Sequence, residues 1–271
     1  MYQSLPKSYK SIYPFTLGTT SFIYPDTWSR NAERLGPFID TLELLLFESR
    51  TPGSLPSADE IRTLRHLAQT LKFSFNIHLP TDVFPGDPDR GTRHKAVENL
   101  ARVIRLTAPL QPTTLTLHLE FGRNPTDKQG VDRWQQRLRG SLEALLATGV
   151  PPRLLSIETL MYPYDWVMPL VEEYDLRICM DIGHLVLQGI DPEAFFSRHE
   201  SRISILHLHG VRDQRDHQEL GWSDRRIQES VLKILHSFSG TVSLEVFSFD
   251  KLHKSLNFLE QQWPVERRNG N

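Results

Sequence analysis

One cysteine, Cys179, stands in 271 residues, so no internal disulfide can form and a reducing compartment is the expected setting. Cys179 lies in an apolar run ahead of Asp181 and reads as a small core residue. No apolar run approaches the ~20 residues that span a bilayer. The opening Met1-Tyr2-Gln3-Ser4-Leu5-Pro6-Lys7 has no apolar core after a charge, so no secretory leader is read. The expectation is a cytoplasmic protein without membrane contact. A surplus of positive charge is missing as well: 31 Lys and Arg face 33 Asp and Glu, for a net charge of −2. A dedicated duplex-DNA binder gains its affinity from such a surplus, so nucleic acid is not an expected partner. There is no Gly/Ser linker, internal repeat or low-complexity tract. The place where a dinucleotide fold carries its glycine-rich turn reads Leu17-Gly18-Thr19-Thr20-Ser21, which is not such a turn.

What is present is alternation. Short β-rich runs fall at 15–20, 41–47, 73–79, 113–119, 153–158, 176–181, 203–209 and 241–247. Between them, apolar residues recur at helical spacing: Ile61, Leu64, Leu67 and Leu71 after the capping box Ser57-Ala58-Asp59-Glu60, then Val97, Leu100 and Ile104, then Trp134, Leu138, Leu142 and Leu145, then Ile227, Val231 and Ile234. Asp191-Pro192 reads as a cap followed by a first-turn proline, and Leu252, Leu256 and Leu259 suit a closing helix. Eight strands alternating with helices at this length predict an α/β protein with a single (β/α)8 barrel. The barrel is expected over 15–262, with an N-terminal extension at 1–14 and a polar tail at 263–271. The longest irregular piece, 80–92, follows the third strand and would overhang the active face.

Six of these runs end in metal-ligand residue types: His78, His118, Glu158, Asp181 with His184, His207 with His209, and Glu245. Side chains alternate across a strand. Asn76 and His78 therefore share a face opposite Phe75 and Ile77. Thr116 and His118 oppose Leu115 and Leu117, Ser156 and Glu158 oppose Leu155 and Ile157, and Ser243 and Glu245 oppose Leu244 and Val246. The polar set would point into the barrel. Barrel interiors are usually aliphatic, and clustered polar groups there are costly unless paired or bound to a metal. The pattern predicts a catalytic metal centre where the strand tops meet, with His217 in a nearby loop. The mixed imidazole and carboxylate set suits zinc, manganese, cobalt or iron. Two more groups fall near strand ends: Glu48, a possible cleft residue or a solvated loop acid, and Arg123, a possible phosphate contact or a surface arginine. Tyr24 and Trp222 lie in loops and read either as pocket lining or as loop packing.

This order of strand-top residues, from His78 to Glu245, resembles the xylose isomerase-like barrel superfamily, which includes endonuclease IV of the AP endonuclease 2 type and many sugar-phosphate isomerases and epimerases. The resemblance implies a first metal on His78, His118 and Glu158. Glu158 would bridge to a second ion held by Asp181, His207 and Glu245, and a third would use His184 and His217. At the third site the endonuclease pattern wants an aspartate two residues before the second histidine; Arg215 stands there, with Asp213 and Asp216 nearby. The stretches Leu17-Gly18-Thr19-Thr20-Ser21-Phe22-Ile23-Tyr24-Pro25, Thr41-Leu42-Glu43-Leu44-Leu45-Leu46-Phe47-Glu48, Asn76-Ile77-His78-Leu79-Pro80 and Leu206-His207-Leu208-His209-Gly210-Val211 resemble one branch, the cobamide-remodelling phosphodiesterases. That resemblance implies hydrolysis of the nucleotide-loop phosphodiester of an adenosylcobamide, to adenosylcobinamide phosphate and the lower-ligand riboside. Glu158 and Glu245 would be catalytic, two or three divalent ions would be bound, and His209, Glu48, Arg123, Tyr24 and Trp222 would meet the substrate. The competing readings are a sugar or sugar-phosphate isomerase or epimerase, which keeps only the second metal site and uses two acids as proton shuttles, an abasic-site endonuclease, and a non-enzymatic corrinoid-binding protein.

Overall fold

The computed structural model describes residues 2–121 and 127–263. Eight parallel strands close into a barrel: β1 (Thr16–Thr20), β2 (Thr41–Leu45), β3 (Ser74–His78), β4 (Leu115–Leu117), β5 (Leu155–Glu158), β6 (Arg177–Asp181), β7 (Ile203–Leu208) and β10 (Thr241–Leu244), in the order β1-β10-β7-β6-β5-β4-β3-β2. Each expected run contains one of them. The outer helices are α1 (Trp28–Leu35), α2 (Ala58–Leu71), α3 (Arg90–Thr107), α4 (Lys128–Leu146), α5 (Met168–Glu173), α6 (Ile182–Leu187), α7 (Pro192–His199), α8 (Arg225–Ser237) and α9 (Phe249–Gln262). Their starts are set by the side chains the sequence offers. Ser57 accepts the Glu60 N–H, Asp89 the Thr92 N–H and Asp191 the N–H groups of Glu193 and Ala194, satisfying donors that the first helical turn leaves free.

The aliphatic side chains of the strands, among them Phe75, Ile77, Leu115, Leu117, Leu155, Ile157, Leu206, Leu208, Val242 and Leu244, join the helices in one apolar core. The opposite parity carries Thr41, Glu43, Asn76, Thr116, Ser156, His207 and Ser243, all buried. That this set faces the interior follows from one contact. Glu43 on β2 hydrogen-bonds His207 on β7, and those strands are not neighbours in the barrel.

The segment before β1 is packed, with Leu5, Tyr9 and Tyr13 buried. One feature differs from the sequence reading. After β7 the chain forms an antiparallel hairpin, β8 (Gly210–Arg212) and β9 (Arg215–Gln218). Its turn places Asp213 and Gln214 at φ of 53° and 60°. Left-handed pairs of this kind usually advertise themselves as Asn-Gly or Asp-Gly, and without a glycine the hairpin left no mark in the sequence. Among the described residues, no helix is long and apolar enough to cross a membrane.

Candidate metal centre

The strand tops converge on Glu158. Its Oε2 lies 3.2 Å from His78 Nε2 and 2.9 Å from His118 Nε2. Its Oε1 faces the other way, 3.5 Å from His184 Nδ1 and 3.6 Å from His207 Nδ1. Glu158, Asp181, His207 and Glu245 each bring a ligand atom within 4.8 Å of those of the others. Three smaller groups adjoin them: His78, Glu158 and His207; His184, Asp216 and His217; and His209, His217 and Glu245. Of the two aspartates near Arg215, it is Asp216 that stands with His184 and His217.

The histidines are oriented from behind. His78 Nδ1 donates to Leu79 O at 3.0 Å, His118 Nδ1 to Glu120 Oε1 at 3.2 Å, His184 Nδ1 to Thr159 O at 2.9 Å and His217 Nδ1 to Glu245 O at 3.1 Å. His207 uses its other nitrogen: Nε2 donates to Glu43 Oε1 at 2.9 Å, while Glu43 Oε2 accepts from Ser243 Oγ at 2.5 Å. In each ring one nitrogen is tied to oxygen and the other is left for the site, the arrangement that holds a metal-ligating imidazole in one tautomer. Asp181 is held as well. As the N-cap of α6 its Oδ1 accepts the His184 N–H at 2.8 Å, and His209 Nε2 lies 3.2 Å from it. His209 Nδ1 accepts the His217 N–H at 2.9 Å, so its one ring proton sits on Nε2 and is donated to Asp181. His217 keeps that contact with its backbone at φ 48°, a conformation non-glycine residues adopt at a cost.

Two buried atoms of the four-residue group, His207 Nδ1 and Glu245 Oε2, face each other at 3.3 Å without a well-formed hydrogen bond among the described residues, although buried polar atoms almost always make one. Both point into the group, and its donor set of one imidazole and three carboxylates fits a divalent ion. Burial works against charge on Glu158, but His118 and His207 outweigh it and hold its carboxyl well below the usual range. His209 and His184 do the same for buried Asp181, and His207 for buried Glu245. On His118 burial is again overcome, here by Glu158 and Glu120, which push its imidazole up to about 10.

A cavity of about 330 Å³ opens over these groups, lined by Phe47, His78, Thr81, His118, Glu120, Glu158, His184, His217, Glu245 and Phe247. The eight residues expected to bind metal therefore lie together. Of the expected substrate contacts, His209 is buried behind Asp181 and groups with His217 and Glu245, and Glu48, Tyr24 and Trp222 lie elsewhere. Glu48 is exposed on the loop after β2 and is not part of the cavity wall. Tyr24 is buried, its hydroxyl donating to Gln3 O at 2.8 Å. Trp222 stands with Glu219, Gly221 and Lys254, outside the cavity. Arg123 lies outside the described residues. Sequence reasoning gave Glu43 no role and named Asp216 only beside Asp213, without choosing between them. Glu43 was detectable, because it shares the inward parity of Thr41; Asp216 was marked only by standing next to His217.

A parallel barrel with ionisable groups gathered at the C-terminal ends of its strands is the arrangement in which (β/α)8 barrels carry their active sites. The model of the xylose isomerase-like TIM barrel family matches residues 30–262, and the chain belongs to that family. Inosose dehydratase from Lacticaseibacillus casei is 36% identical over 55 residues, 20% of this chain and 18% of that one. The match thus spans under a fifth of the relative's length. The fold is shared with a D-tagatose 3-epimerase-like protein (TM-score 0.75, 18% identity, 91% of this chain and 96% of that one) and with endonuclease IV from Thermus thermophilus (TM-score 0.68, 18% identity, 91% and 99%). These likenesses overturn the expected cobamide phosphodiesterase. The three proteins are named for sugar epimerisation, inosose dehydration and endonuclease action, and none of them for a corrinoid.

Proposed function

We propose that the protein is a divalent-metal-dependent isomerase or epimerase of a small sugar or sugar phosphate. The observation that carries this reading is the buried group of Glu158, Asp181, His207 and Glu245, in which His207 Nδ1 and Glu245 Oε2 face each other at 3.3 Å without a well-formed hydrogen bond among the described residues. Sugar-directed names among the similar proteins support it. Glu158, Asp181, His207 and Glu245 would hold one ion, which when bound supplies a Lewis acid that polarises a carbonyl and offsets negative charge developing on its oxygen. The chain's own residues move the proton. Glu158 and Glu245 enter the cavity from β5 and from the end of β10, with β6 and β7 between them. One carboxylate would take a proton from the carbon next to a carbonyl, and the other, first protonated from solvent through the cavity, would return a proton to the opposite face and invert that carbon. His118, 2.9 Å from Glu158, holds that carboxylate in place.

A second reading, hydrolysis of a phosphate ester by two or three ions, is favoured by the additional groups around His78, His118 and Glu158 and around His184, Asp216 and His217. One experiment separates the two. Protein reconstituted with manganese, cobalt, zinc or iron is analysed for bound metal, then incubated in D2O with D-fructose, D-tagatose and their phosphates, and in parallel with bis-(4-nitrophenyl) phosphate. The first reading predicts one tightly bound ion per chain and solvent deuterium at the carbon next to the carbonyl, lost in Glu158→Gln and Glu245→Gln. Two or three ions, with nitrophenol release and no deuterium incorporation, refute it in favour of the second.

A further inference from the structure

Few large apolar side chains are exposed among the described residues: Tyr2 at 37%, Phe22 at 39%, Phe84 at 39%, Met161 at 59% and Phe247 at 38%. Their placement is not scattered. Phe22 follows β1, Phe84 follows β3, Met161 follows β5 and Phe247 follows β10, so four of the five stand on loops at the C-terminal ends of the strands, the face that carries the metal-ligand groups. Single exposed apolar residues are ordinary, but apolar groups gathered at one face mark a binding surface.

This rim is continuous with the site. Phe22 and Phe47 meet edge-on with ring centroids 6.3 Å apart, and Phe47 meets His78 edge-on at 4.9 Å. Phe247 tilts against His217 at 4.9 Å. Phe47 and Phe247 both line the cavity over Glu158 and Glu245. The three rings follow β10, β1 and β2, neighbours in the barrel, so aromatic surface runs from solvent to the candidate ligands along one arc of the mouth. A bare sugar offers mostly hydroxyls and would reach the ligands without needing this surface. An apolar ring attached to it would cover Phe22 and Phe247 while the polar part sits below.

We propose that the mouth formed by Phe22, Phe47 and Phe247 is a subsite for a planar apolar group of the substrate, so that the substrate is a sugar derivative bearing such a substituent. The substrate class rests on the reading given under Proposed function; the subsite itself does not, and its test does not use turnover.

The test is a fluorescence titration of the intact, metal-loaded protein with 8-anilinonaphthalene-1-sulfonate, followed by displacement with 4-nitrophenyl and methyl β-D-glucopyranosides. The expected result is saturable binding at one site. The Phe22→Ser/Phe247→Ser variant should bind the dye about tenfold more weakly at unchanged metal content, and Tyr2→Ser should leave affinity unchanged. The nitrophenyl glycoside should displace the dye at concentrations about tenfold below those the methyl glycoside requires. Dye affinity indifferent to the two phenylalanines, or equal displacement by both glycosides, overturns the subsite. So does sedimentation showing a dimer that Phe22→Ser/Phe247→Ser dissociates, because the rim is then covered by a second copy. Dye and glycoside preferences that survive alongside a negative deuterium assay leave the subsite standing and reject only the isomerase or epimerase reading.

Discussion

Replacing Glu43 by Gln tests whether His207 is a metal ligand held from behind. Glu43 is fully buried and touches nothing that reacts. Its Oε1 takes the His207 Nε2 proton at 2.9 Å and its Oε2 takes the Ser243 hydroxyl proton at 2.5 Å. Glutamine keeps the shape and still accepts from His207, and the Ser243 hydroxyl can turn to accept from the new amide. What is lost is the negative charge that raises the basicity of His207 Nδ1, the atom without a well-formed hydrogen bond in the four-residue group. Loss of an outer partner of this kind weakens metal binding by about 10–100-fold, or about 1.4–2.7 kcal/mol at ~1.36 kcal/mol per decade. The assay is competition of manganese or zinc against a fluorescent chelator at pH 7.5, with the visible spectrum of the cobalt form as a second readout. The expected outcome is affinity reduced by that factor, a shifted cobalt spectrum and a metal-free protein that stays folded. Glu48→Gln, on the exposed loop, should leave affinity unchanged. Wild-type affinity in Glu43→Gln would refute the assignment of His207 Nδ1 to a metal.

Three further outcomes follow from the geometry. Excess chelator should lower the melting temperature of reconstituted protein, since an ion that binds only the folded chain stabilises it by RT ln(1 + [M]/Kd), about 4 kcal/mol at a thousandfold excess over Kd; an unchanged melting temperature would mean that no ion is held tightly. A Cβ on Gly183 would overlap the ring of His209, so Gly183→Ala should destabilise by about 1–3 kcal/mol and pull His209 from Asp181, read as reduced denaturant midpoint and weaker metal binding together. Burial depresses the His199 imidazole below its ordinary 6.5, with Arg198 adding to the effect. Its contribution is therefore complete above pH 6.5 and is lost as pH falls through 6.5 toward the folded value, because the unfolded chain takes up the proton first. His199→Gln should flatten the acid limb of the stability curve in that window, and a limb as steep as wild type would count against the mechanism.

The barrel was legible because its determinants are local. The eight apolar runs, the Ser57 and Asp191 caps and the period-two parity each sit within a few residues, and strand parity alone was enough to turn His78, His118, Glu158 and Glu245 toward one another. The hairpin β8–β9 was missed because Asp213 and Gln214 adopt left-handed backbone without the glycine that marks such turns.

Roles within the site were another matter. Glu43 and Glu48 are both acids in the same stretch, yet one lies in the barrel interior against a residue 164 positions away and the other is exposed. His207 and His209 share a strand face in the sequence pattern, yet His209 ends up behind Asp181 because the hairpin brings the His217 N–H onto its Nδ1. Tyr24 had the composition of a pocket residue and went to packing, and Trp222 lines a separate surface pocket with Glu219 and Lys254. The amino-acid sequence by itself determined the fold and the set of ligand types at the strand tops, since alternation and periodicity are properties of neighbours along the chain. Only the tertiary structure decided which nitrogen of each imidazole is free, which carboxylate reaches the cavity and which apolar rings surround its mouth. Those depend on contacts across a closed barrel between residues that no local pattern relates.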